Sequence, residues 1–391
     1  MDQKALLPPI NLIPRRWDIF CHVVDNFGDA GVCWRLARQL VAEYGFSVRL
    51  WADDLTPFSK LFPGFDPTRE NQSCLGVEVH RWTPEFPQTE PAEVVIEAFG
   101  CRLPDSYVAA MAEKAAKPVW INLEYLSAED WVEGCHRLPS PHPSLPLVKY
   151  FFFPGFTAKT GGLLLENGLF ERRDAFQRLP QEQVAFWASL GWAMPAPEAV
   201  TVSLFCYANP AVAGLLAAWA DAAIPVLCCV PEGLPADAVA AALGKERLLP
   251  GEQVQSGSLI VRVLPFLEQD VYDRLLWSCD CNFVRGEDSF VRAQWAAKPL
   301  VWQIYPQEEN AHEVKLAAFL DLYCAELPPA AANAVRNFWT MWNRGEMNAH
   351  AWNDFRQQHQ VLEQHARRWS EALRANGGLL ANLVSFCNGM I

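Results

Sequence analysis

Short apolar runs alternate with helix-type patterns along most of the chain. Residues 17–24 (WDIFCHVV) form an apolar run typical of a buried strand, residues 32–44 carry a helical pattern that ends at Gly45, and residues 47–51 form a second strand-like run. This strand–helix–strand order predicts a parallel sheet covered by helices. Further strands are predicted at 77–82, 94–98, 118–122 and 149–153, with a helix at 105–117. Together these elements predict one Rossmann-like half.

A second set of alternating elements follows a stretch with several prolines and glycines at residues 153–179, which is predicted to be a linker with long loops. Strands are then predicted at 200–205, 225–230, 258–263, 281–284 and 299–304. Helices are predicted at 210–221, 236–243, 270–279 and 290–297. Helical patterns, one of them at 354–376, fill the chain from residue 331 to the end.

Two Rossmann-like halves with a helical tail favour an α/β fold of GT-B architecture, in which two domains face a central cleft. The domains are predicted at 1–165 and 185–360, and a tail at 361–391 is predicted to cross back to the first domain. Ligands of such folds bind in the cleft at the carboxyl ends of the strands. Periodicity alone leaves open other two-domain α/β folds, such as periplasmic binding proteins.

Composition narrows the class of protein. A length of 391 residues suits two domains, and the net charge of −13 disfavours nucleic-acid binding. The 12 cysteines include no CxxC pair, which predicts reduced thiols in a cytoplasmic protein and neither disulfides nor a metal site. No apolar run is long enough for a membrane span and no signal peptide is evident, so residues 1–16 are predicted to be a loosely ordered lead-in.

The first candidate for chemistry is the segment 25–31 (DNFGDAG), between a predicted strand and a predicted helix. Small residues at 28, 30 and 31 allow another molecule to approach the backbone closely. Asp25 and Asp29 either cap the following helix or lie at the cleft floor, where a carboxylate accepts a proton or orients a cationic nucleophile.

The second candidate is the turn 285–289 (RGEDS), which also follows a predicted strand. Gly286 permits a tight turn, Ser289 is predicted to cap the next helix, and Arg285 with the helix start suits a phosphate. Glu287 and Asp288 are unfavourable neighbours of a phosphate, so they are predicted to face sugar or ribose hydroxyls. The alternative is a capped helix with a surface Arg–Glu pair.

Aromatic residues at the carboxyl ends of strands form the third candidate. Phe205, Tyr207 and Phe266 offer flat apolar partners for a nucleobase, although each ring taken alone is more typical of a hydrophobic core. Tyr305 and Gln307 end the strand after the RGEDS turn and are predicted to reach the same ligand.

These segments, taken in order, resemble one family. DNFGDAG, FCY, PFLEQD, FVRGEDSFVRAQWAAKP and IYPQEENAH are similar to the protein-arginine rhamnosyltransferases that modify elongation factor P, and the resemblance extends over nearly the whole chain from Trp17. It implies a GT-B fold, dTDP-β-L-rhamnose as the donor, inversion at the anomeric carbon and no metal or other cofactor. The implied acceptor is one arginine of elongation factor P, which the modification activates for ribosomes stalled at polyproline.

The resemblance also implies residue roles. Asp29 resembles the general base, Asp25 a second essential carboxylate and Glu287 a third residue needed for activity. The implied substrate-binding positions are Asn26, Phe27, Gly28, Gly31, Phe205, Tyr207, Phe266, Gln269, Arg285, Gly286, Asp288, Ser289 and Tyr305. A sugar-nucleotide 2-epimerase and a non-catalytic nucleotide-sugar-binding module stay open as alternatives, and the sugar identity rests on the resemblance alone.

Overall fold

The computed structural model describes residues 15–25, 27–306 and 311–390, and within them the first half of the chain forms an eight-stranded sheet. Its strands are β1 (Arg16–Cys21), β2 (Ser47–Ala52), β3 (Asn71–Cys74), β4 (Val77–Arg81), β5 (Val94–Ala98), β6 (Val119–Leu123), β7 (Pro139–Pro141) and β8 (Val148–Phe152). They lie in the order β3-β4-β2-β1-β5-β6-β8-β7, and only the edge strands β3 and β7 pair antiparallel. The helices of this half are α1 (Phe27–Tyr44), α2 (Phe58–Leu61), α3 (Asp105–Glu113) and α4 (Trp131–Cys135).

The second half of the described chain forms a six-stranded sheet in the order β11-β12-β10-β9-β13-β14. Its strands are β9 (Val200–Leu204), β10 (Val226–Pro231), β11 (Gln253–Ser256), β12 (Leu259–Leu264), β13 (Cys281–Arg285) and β14 (Leu300–Gln303). Its helices are α5 (Leu169–Arg178), α6 (Pro180–Ser189), α7 (Ala211–Ala220), α8 (Leu234–Ala242), α9 (Gln269–Ser278), α10 (Asp288–Ala296), α11 (Ala311–Cys324), α12 (Pro329–Asn343), α13 (Ala349–Gln357) and α14 (His359–Ala375). Only β11 runs antiparallel.

The last helix, α15 (Leu379–Met390), returns to the first sheet. Leu380 and Leu383 are fully buried in the core beneath that sheet, and the Leu379 N–H donates to the Leu163 carbonyl at 2.8 Å. The α14 residues Leu362 and Leu373 belong instead to the core of the second half. Two α/β domains with this crossing helix confirm the predicted GT-B fold, while the domain bounds 1–165, 185–360 and 361–391 stay a prediction.

Several predicted elements have different bounds. Helix α1 starts at residue 27 rather than 32, because the glycines of DNFGDAG hide the helical pattern. The predicted linker at 153–179 contains α5, and the predicted helix at 354–376 breaks at Gln358 into α13 and α14. The antiparallel strands β3, β7 and β11 are absent from the prediction because they are short and largely polar edge strands.

Two further observations concern the predictions made about membrane spans and about the cysteines. None of the helices in the described ranges is long and apolar enough to cross a membrane. The cysteines carry free thiols, and all except Cys101 and Cys135 are buried, as expected of small hydrophobic side chains in a core.

Candidate active site

Two adjoining chambers occupy the cleft between the carboxyl ends of the two sheets. The first, here called the aromatic chamber, contains about 670 Å³ of empty space, including space that is open to solvent. Its walls come from both domains and are mostly apolar, with one arginine and two aspartates. The lining residues are Asp25, Phe27, Gly28, Leu61, Phe205, Tyr207, Pro231, Phe266, Leu267, Gln269, Tyr272, Leu275, Arg285, Asp288 and Ser289.

The second, here called the carboxylate chamber, contains about 1150 Å³ of empty space, including space that is open to solvent, and shares Asp25 and Gly28 with the first. It brings three carboxylates together with aromatic rings and one lysine. The lining residues are Val24, Asp25, Gly28, Asp29, Tyr125, Leu126, Gly286, Glu287, Trp302, Ile304, Tyr305, Pro306 and Lys315. All three residues predicted to be catalytic therefore face one space.

A hydrogen bond between the domains forms part of the wall between the chambers. The Tyr207 hydroxyl donates to Asp25 Oδ2 at 2.6 Å. Gly286 lies beside this bond with a φ of +60°, and a Cβ there would be 2.7 Å from Asp25 Oδ2 and 2.8 Å from the Tyr207 hydroxyl. Gly286 is thus required both by its backbone conformation and by the closeness of the two side chains.

Asp29 lies in the first turn of α1 and is 2% exposed. Its Oδ2 accepts the backbone N–H groups of Val24 and Asp25, both at 2.8 Å. Asp29 therefore holds the loop before α1, whose N–H groups lie outside the helix, and it also lines the carboxylate chamber. Its catalytic role stays a prediction. Burial raises the pKa of Asp29, and the two N–H groups oppose that effect by favouring the charged form.

Asp25 and Glu287 have carboxyl groups that titrate well above their ordinary range. Burial raises the pKa of Asp25 to about 6, against the opposing effects of the Tyr207 hydroxyl and the Arg285 cation. Burial also raises the pKa of Glu287 to about 8, with a further contribution from the Asp29 charge. Glu287 accepts the Leu126 N–H at 3.0 Å, which fixes it against the first domain.

Arg285, at the end of β13, packs against the rings predicted to bind a nucleobase. Its guanidinium lies 4.4 Å from the Phe205 ring centre and 4.5 Å from that of Tyr207, and it donates to the Cys206 carbonyl at 3.2 Å. Phe266 instead contacts Phe27 of the first domain, with ring centres 4.7 Å apart. The nucleobase role of these rings stays a prediction, and in this structure a cation covers two of them.

Ser289 does not cap α10 as predicted. The helix begins at Asp288 with Glu287 at the N-cap, so Ser289 lies inside the first turn. Its hydroxyl donates to the Arg285 carbonyl at 2.5 Å and accepts the Arg285 N–H at 3.1 Å. Ser289 therefore closes the RGEDS turn on itself and fixes the backbone of Arg285.

Asp288 and Gln269 line the aromatic chamber and also join the domains. Asp288 accepts from Arg35 of α1 at 2.8 Å and from Gln269 at 3.1 Å, and Gln269 also donates to the Gly31 carbonyl at 3.1 Å. A Cβ on Gly31 would lie 3.2 Å from Asp288 Oδ2, so the glycine permits this close approach. Arg35 is absent from the sequence prediction, although a buried arginine inside the apolar stretch CWRLARQL is a signal for a partner.

Tyr305 lies at the edge of the carboxylate chamber, with its ring 5.4 Å from that of Tyr207 and 40% exposed. Asn26 and Gln307 lie outside the described residues. Two residues of the carboxylate chamber, Tyr125 and Lys315, were not predicted from the sequence, because they come from elements distant in the chain. Tyr125 follows the carboxyl end of β6, and this position was a usable signal.

Among the described residues, no group of three or more His, Cys, Asp or Glu side chains is placed to hold a metal ion.

Two Rossmann-like domains with an arginine-bearing aromatic chamber beside a carboxylate chamber have the architecture of GT-B glycosyltransferases, in which ligands bind in the cleft between the domains. Residues 17–388 match the family described as Elongation-Factor P (EF-P) rhamnosyltransferase EarP. The chain therefore belongs to this family of rhamnosyltransferases, as the sequence motifs predicted.

Individual relatives agree with this membership. The chain is 51% identical over 370 residues to the protein-arginine rhamnosyltransferase of Pseudomonas putida, covering 95% of this chain and 98% of that protein. It is 50% identical over 370 residues to the enzyme of the same name from Pseudomonas aeruginosa, with the same coverage of 95% and 98%. A solved structure described as the structural basis for EarP-mediated arginine glycosylation of translation elongation factor EF-P matches with a TM-score of 0.69 and 38% identity, covering 96% of this chain and 100% of that one.

Proposed function

We propose that this protein transfers L-rhamnose from dTDP-β-L-rhamnose to one arginine side chain of elongation factor P, with inversion at the anomeric carbon. Family membership supports the reaction class, the sugar and the acceptor. The observation that carries the proposal is the wall that the two chambers share. We assign the donor to the aromatic chamber and the acceptor to the carboxylate chamber. Asp25 lines both chambers, whereas Asp29 and Glu287 line only the carboxylate chamber. The modification would activate elongation factor P for ribosomes stalled at polyproline, which places the enzyme in the cytoplasm.

The carboxylate chamber suits a guanidinium group. Arginine has a pKa above about 12, so its nitrogen attacks a sugar only when an adjacent base takes its proton as the bond forms. Asp25 and Asp29 supply carboxylate oxygens, and Glu287 supplies a carboxyl group that its pKa of about 8 keeps protonated at neutral pH. The rings of Tyr125 and Trp302 supply flat surfaces for a planar cation. Asp29 is the proposed base because two backbone N–H groups donate to its Oδ2 and stabilise the charged form of the carboxylate.

The aromatic chamber suits the donor. Phe205 and Phe266 offer ring faces to the thymine, and Arg285 with the free N–H groups at the start of α10 faces the diphosphate. As the sugar–oxygen bond breaks, the leaving diphosphate gains negative charge, and these groups stabilise it. The acceptor nitrogen forms its bond on the opposite face of the sugar, which inverts the anomeric carbon. The proton of this nitrogen passes to Asp29.

Mass spectrometry tests the proposal. Elongation factor P incubated with the protein and dTDP-β-L-rhamnose should gain the mass of one deoxyhexose on a single arginine. An epimerised sugar after incubation with the donor alone would favour a sugar-nucleotide 2-epimerase. Binding of dTDP without any transfer to elongation factor P would favour a nucleotide-sugar-binding module.

Transfer should continue in the presence of EDTA. The proposed reaction uses the Arg285 cation and the helix start at the leaving group, so we expect no requirement for a divalent cation or another cofactor. The initial rate is to be measured after dialysis against EDTA and again after addition of Mg²⁺. A large loss of activity that Mg²⁺ restores would contradict this expectation.

The pH profile of kcat/KM should show an acidic limb near pH 6. Asp25, with its pKa of about 6, carries its charge above that pH and takes up a proton as the pH falls through it, so activity falls on the acidic side. The Tyr207 hydroxyl stabilises the charged form, so Tyr207→Phe should raise the pKa of Asp25 and move the limb to higher pH by about 0.5–1.

A matched variant separates this effect from a general loss of activity. Tyr125→Phe removes a hydroxyl that bonds Asp29 rather than Asp25, so it should leave the midpoint of the acidic limb in place. An unchanged midpoint in Tyr207→Phe, or an equal movement in both variants, would show that Asp25 is not the group that titrates.

A further inference from the structure

A buried cluster of charges joins the two domains behind the chambers. Arg35 on α1 contacts Asp288 at 2.8 Å, Glu166 at 3.3 Å and Asp273 at 3.4 Å, and Arg292 on α10 contacts Asp273 at 2.5 Å and Glu166 at 2.6 Å. The side chains of both arginines are 2% exposed and that of Asp273 is 6% exposed. Each charge in the cluster thus has an opposite partner, which a buried charge requires.

Arg35 is the member that reaches across from the first domain to the donor side. Its Nε donates to Oδ1 of Asp288, the first residue of α10, while Oδ2 of the same carboxylate accepts from Gln269. Gln269 also donates to the Gly31 carbonyl, one helical turn before Arg35 on α1. Two links on one face of α1 therefore hold the start of α10.

Two of the three carboxylates of the carboxylate chamber lie on or next to the same two elements. Asp29 lies in the first turn of α1, and Glu287 directly precedes α10. The contact between Arg35 and Asp288 consequently lies between the segment that bears the proposed base and the turn that bears the donor groups. Arg35 itself lines neither chamber, so a substitution of Arg35 removes no group from them.

We propose that Arg35 is a positioning residue of the transfer reaction, which sets the placement of Asp29 on α1 relative to the RGEDS turn through its contact with Asp288. The inference rests on the proposed function, because it assigns a role within that reaction. The three carboxylates around Arg35 are contacted by Nε and by both terminal nitrogens, a fork that a lysine does not reproduce. The arrangement thus needs the geometry of arginine and not its charge alone.

Kinetics of Arg35→Gln test the proposal. We expect kcat for transfer to elongation factor P to fall about 10–100-fold, since a small misplacement of reacting groups has effects of that size, while the Kd for dTDP rises by a much smaller factor. Arg35→Lys should also lose activity. Arg38→Gln is the matched control, because Arg38 lies on the same helix and pairs with Asp270 of the other domain at 3.3 Å, but at an exposed position.

Three kinetic outcomes would each overturn the inference. They are an unchanged kcat in Arg35→Gln, an equal loss of kcat and dTDP affinity, or the same loss in Arg38→Gln. If Arg35→Gln does not fold, Arg35→Lys decides by the same comparison of kcat with Kd. Failure of both variants to fold would assign Arg35 to stability alone and would also overturn it.

Hydrogen exchange adds a readout that does not depend on transfer. Arg35→Gln should raise the exchange of the amides of residues 286–290 and leave those of β10 unchanged, whereas Arg38→Gln should change neither. If the wild-type protein transfers no rhamnose but exchange is raised in Arg35→Gln, the proposed function is contradicted. The structural link between α1 and the turn is then still supported. Unchanged exchange in a wild-type enzyme that is active would contradict the positioning role.

Discussion

Asp29→Asn should lower the rate of rhamnose transfer by about 10²–10⁴-fold, the usual contribution of a general base. The substitution keeps an oxygen that accepts the backbone N–H groups of Val24 and Asp25, so the loop before α1 is retained. It removes the negative charge and the ability to take a proton from the acceptor nitrogen. The effect should therefore appear in kcat, measured by mass spectrometry of elongation factor P over time, while the Kd for dTDP changes little.

Asp53→Asn is the matched control for this substitution. Asp53 follows β2 and supports the same loop, since its Oδ1 accepts the Val23 N–H at 2.8 Å, but it does not line either chamber. We expect Asp53→Asn to transfer rhamnose at a rate close to that of the wild type. Near-native turnover by Asp29→Asn would refute its assignment as the base, and an equal loss in Asp53→Asn would assign the effect to the loop.

The double role of Asp29 shows what the sequence could not separate. Helix capping and catalysis both favour a carboxylate at the start of α1, and in the structure this carboxylate accepts the N–H groups of the loop before the helix and also lines the chamber. A function therefore cannot be inferred from the residue type alone. The distinction depends on which other carboxylates lie nearby, and Glu287 reaches this chamber from the other domain, 258 positions later in the chain.

The fold was more accessible to sequence reasoning than the contacts within the site. Parallel strands such as β5 and β6 are buried along their whole length, so they stand out as continuous apolar runs. The polar edge strands β3 and β11 have no such signal. The rule that ligands lie at the carboxyl ends of strands placed Asp25, Phe205 and Arg285 near one cleft, and the structure brings all three to the aromatic chamber.

Side-chain partners were not accessible, because they depend on packing between distant elements. The pairing of Arg35 with Asp288 joins residues 253 positions apart, and that of Tyr207 with Asp25 joins residues 182 positions apart. The position of the Arg285 guanidinium over Phe205 likewise follows from the pairing of β13 with β9. This last contact bears directly on how the donor binds.

Arg285→Ala should raise the Kd for dTDP by about 10–100-fold, the effect of losing a hydrogen bond to a charged group, and should lower kcat for transfer by about 10²–10³-fold. The reason is that the guanidinium compensates the charge of the diphosphate in the bound state and more so as the sugar leaves. Calorimetry with dTDP measures the first effect. Arg285→Lys should recover part of it, since a lysine keeps the charge but not the bidentate geometry.

Arg262→Ala provides the control, because Arg262 also stacks on two rings, those of Trp187 and Trp192, at centre distances of 5.9 and 4.9 Å. It should leave dTDP binding unchanged. The direction of the change in Arg285→Ala separates two roles for the contact with Phe205 and Tyr207. If Arg285 only fills the space on these rings, its removal opens the ring faces to thymine and strengthens dTDP binding. If Arg285 instead leaves the rings to bind the phosphate when the donor arrives, its removal weakens dTDP binding.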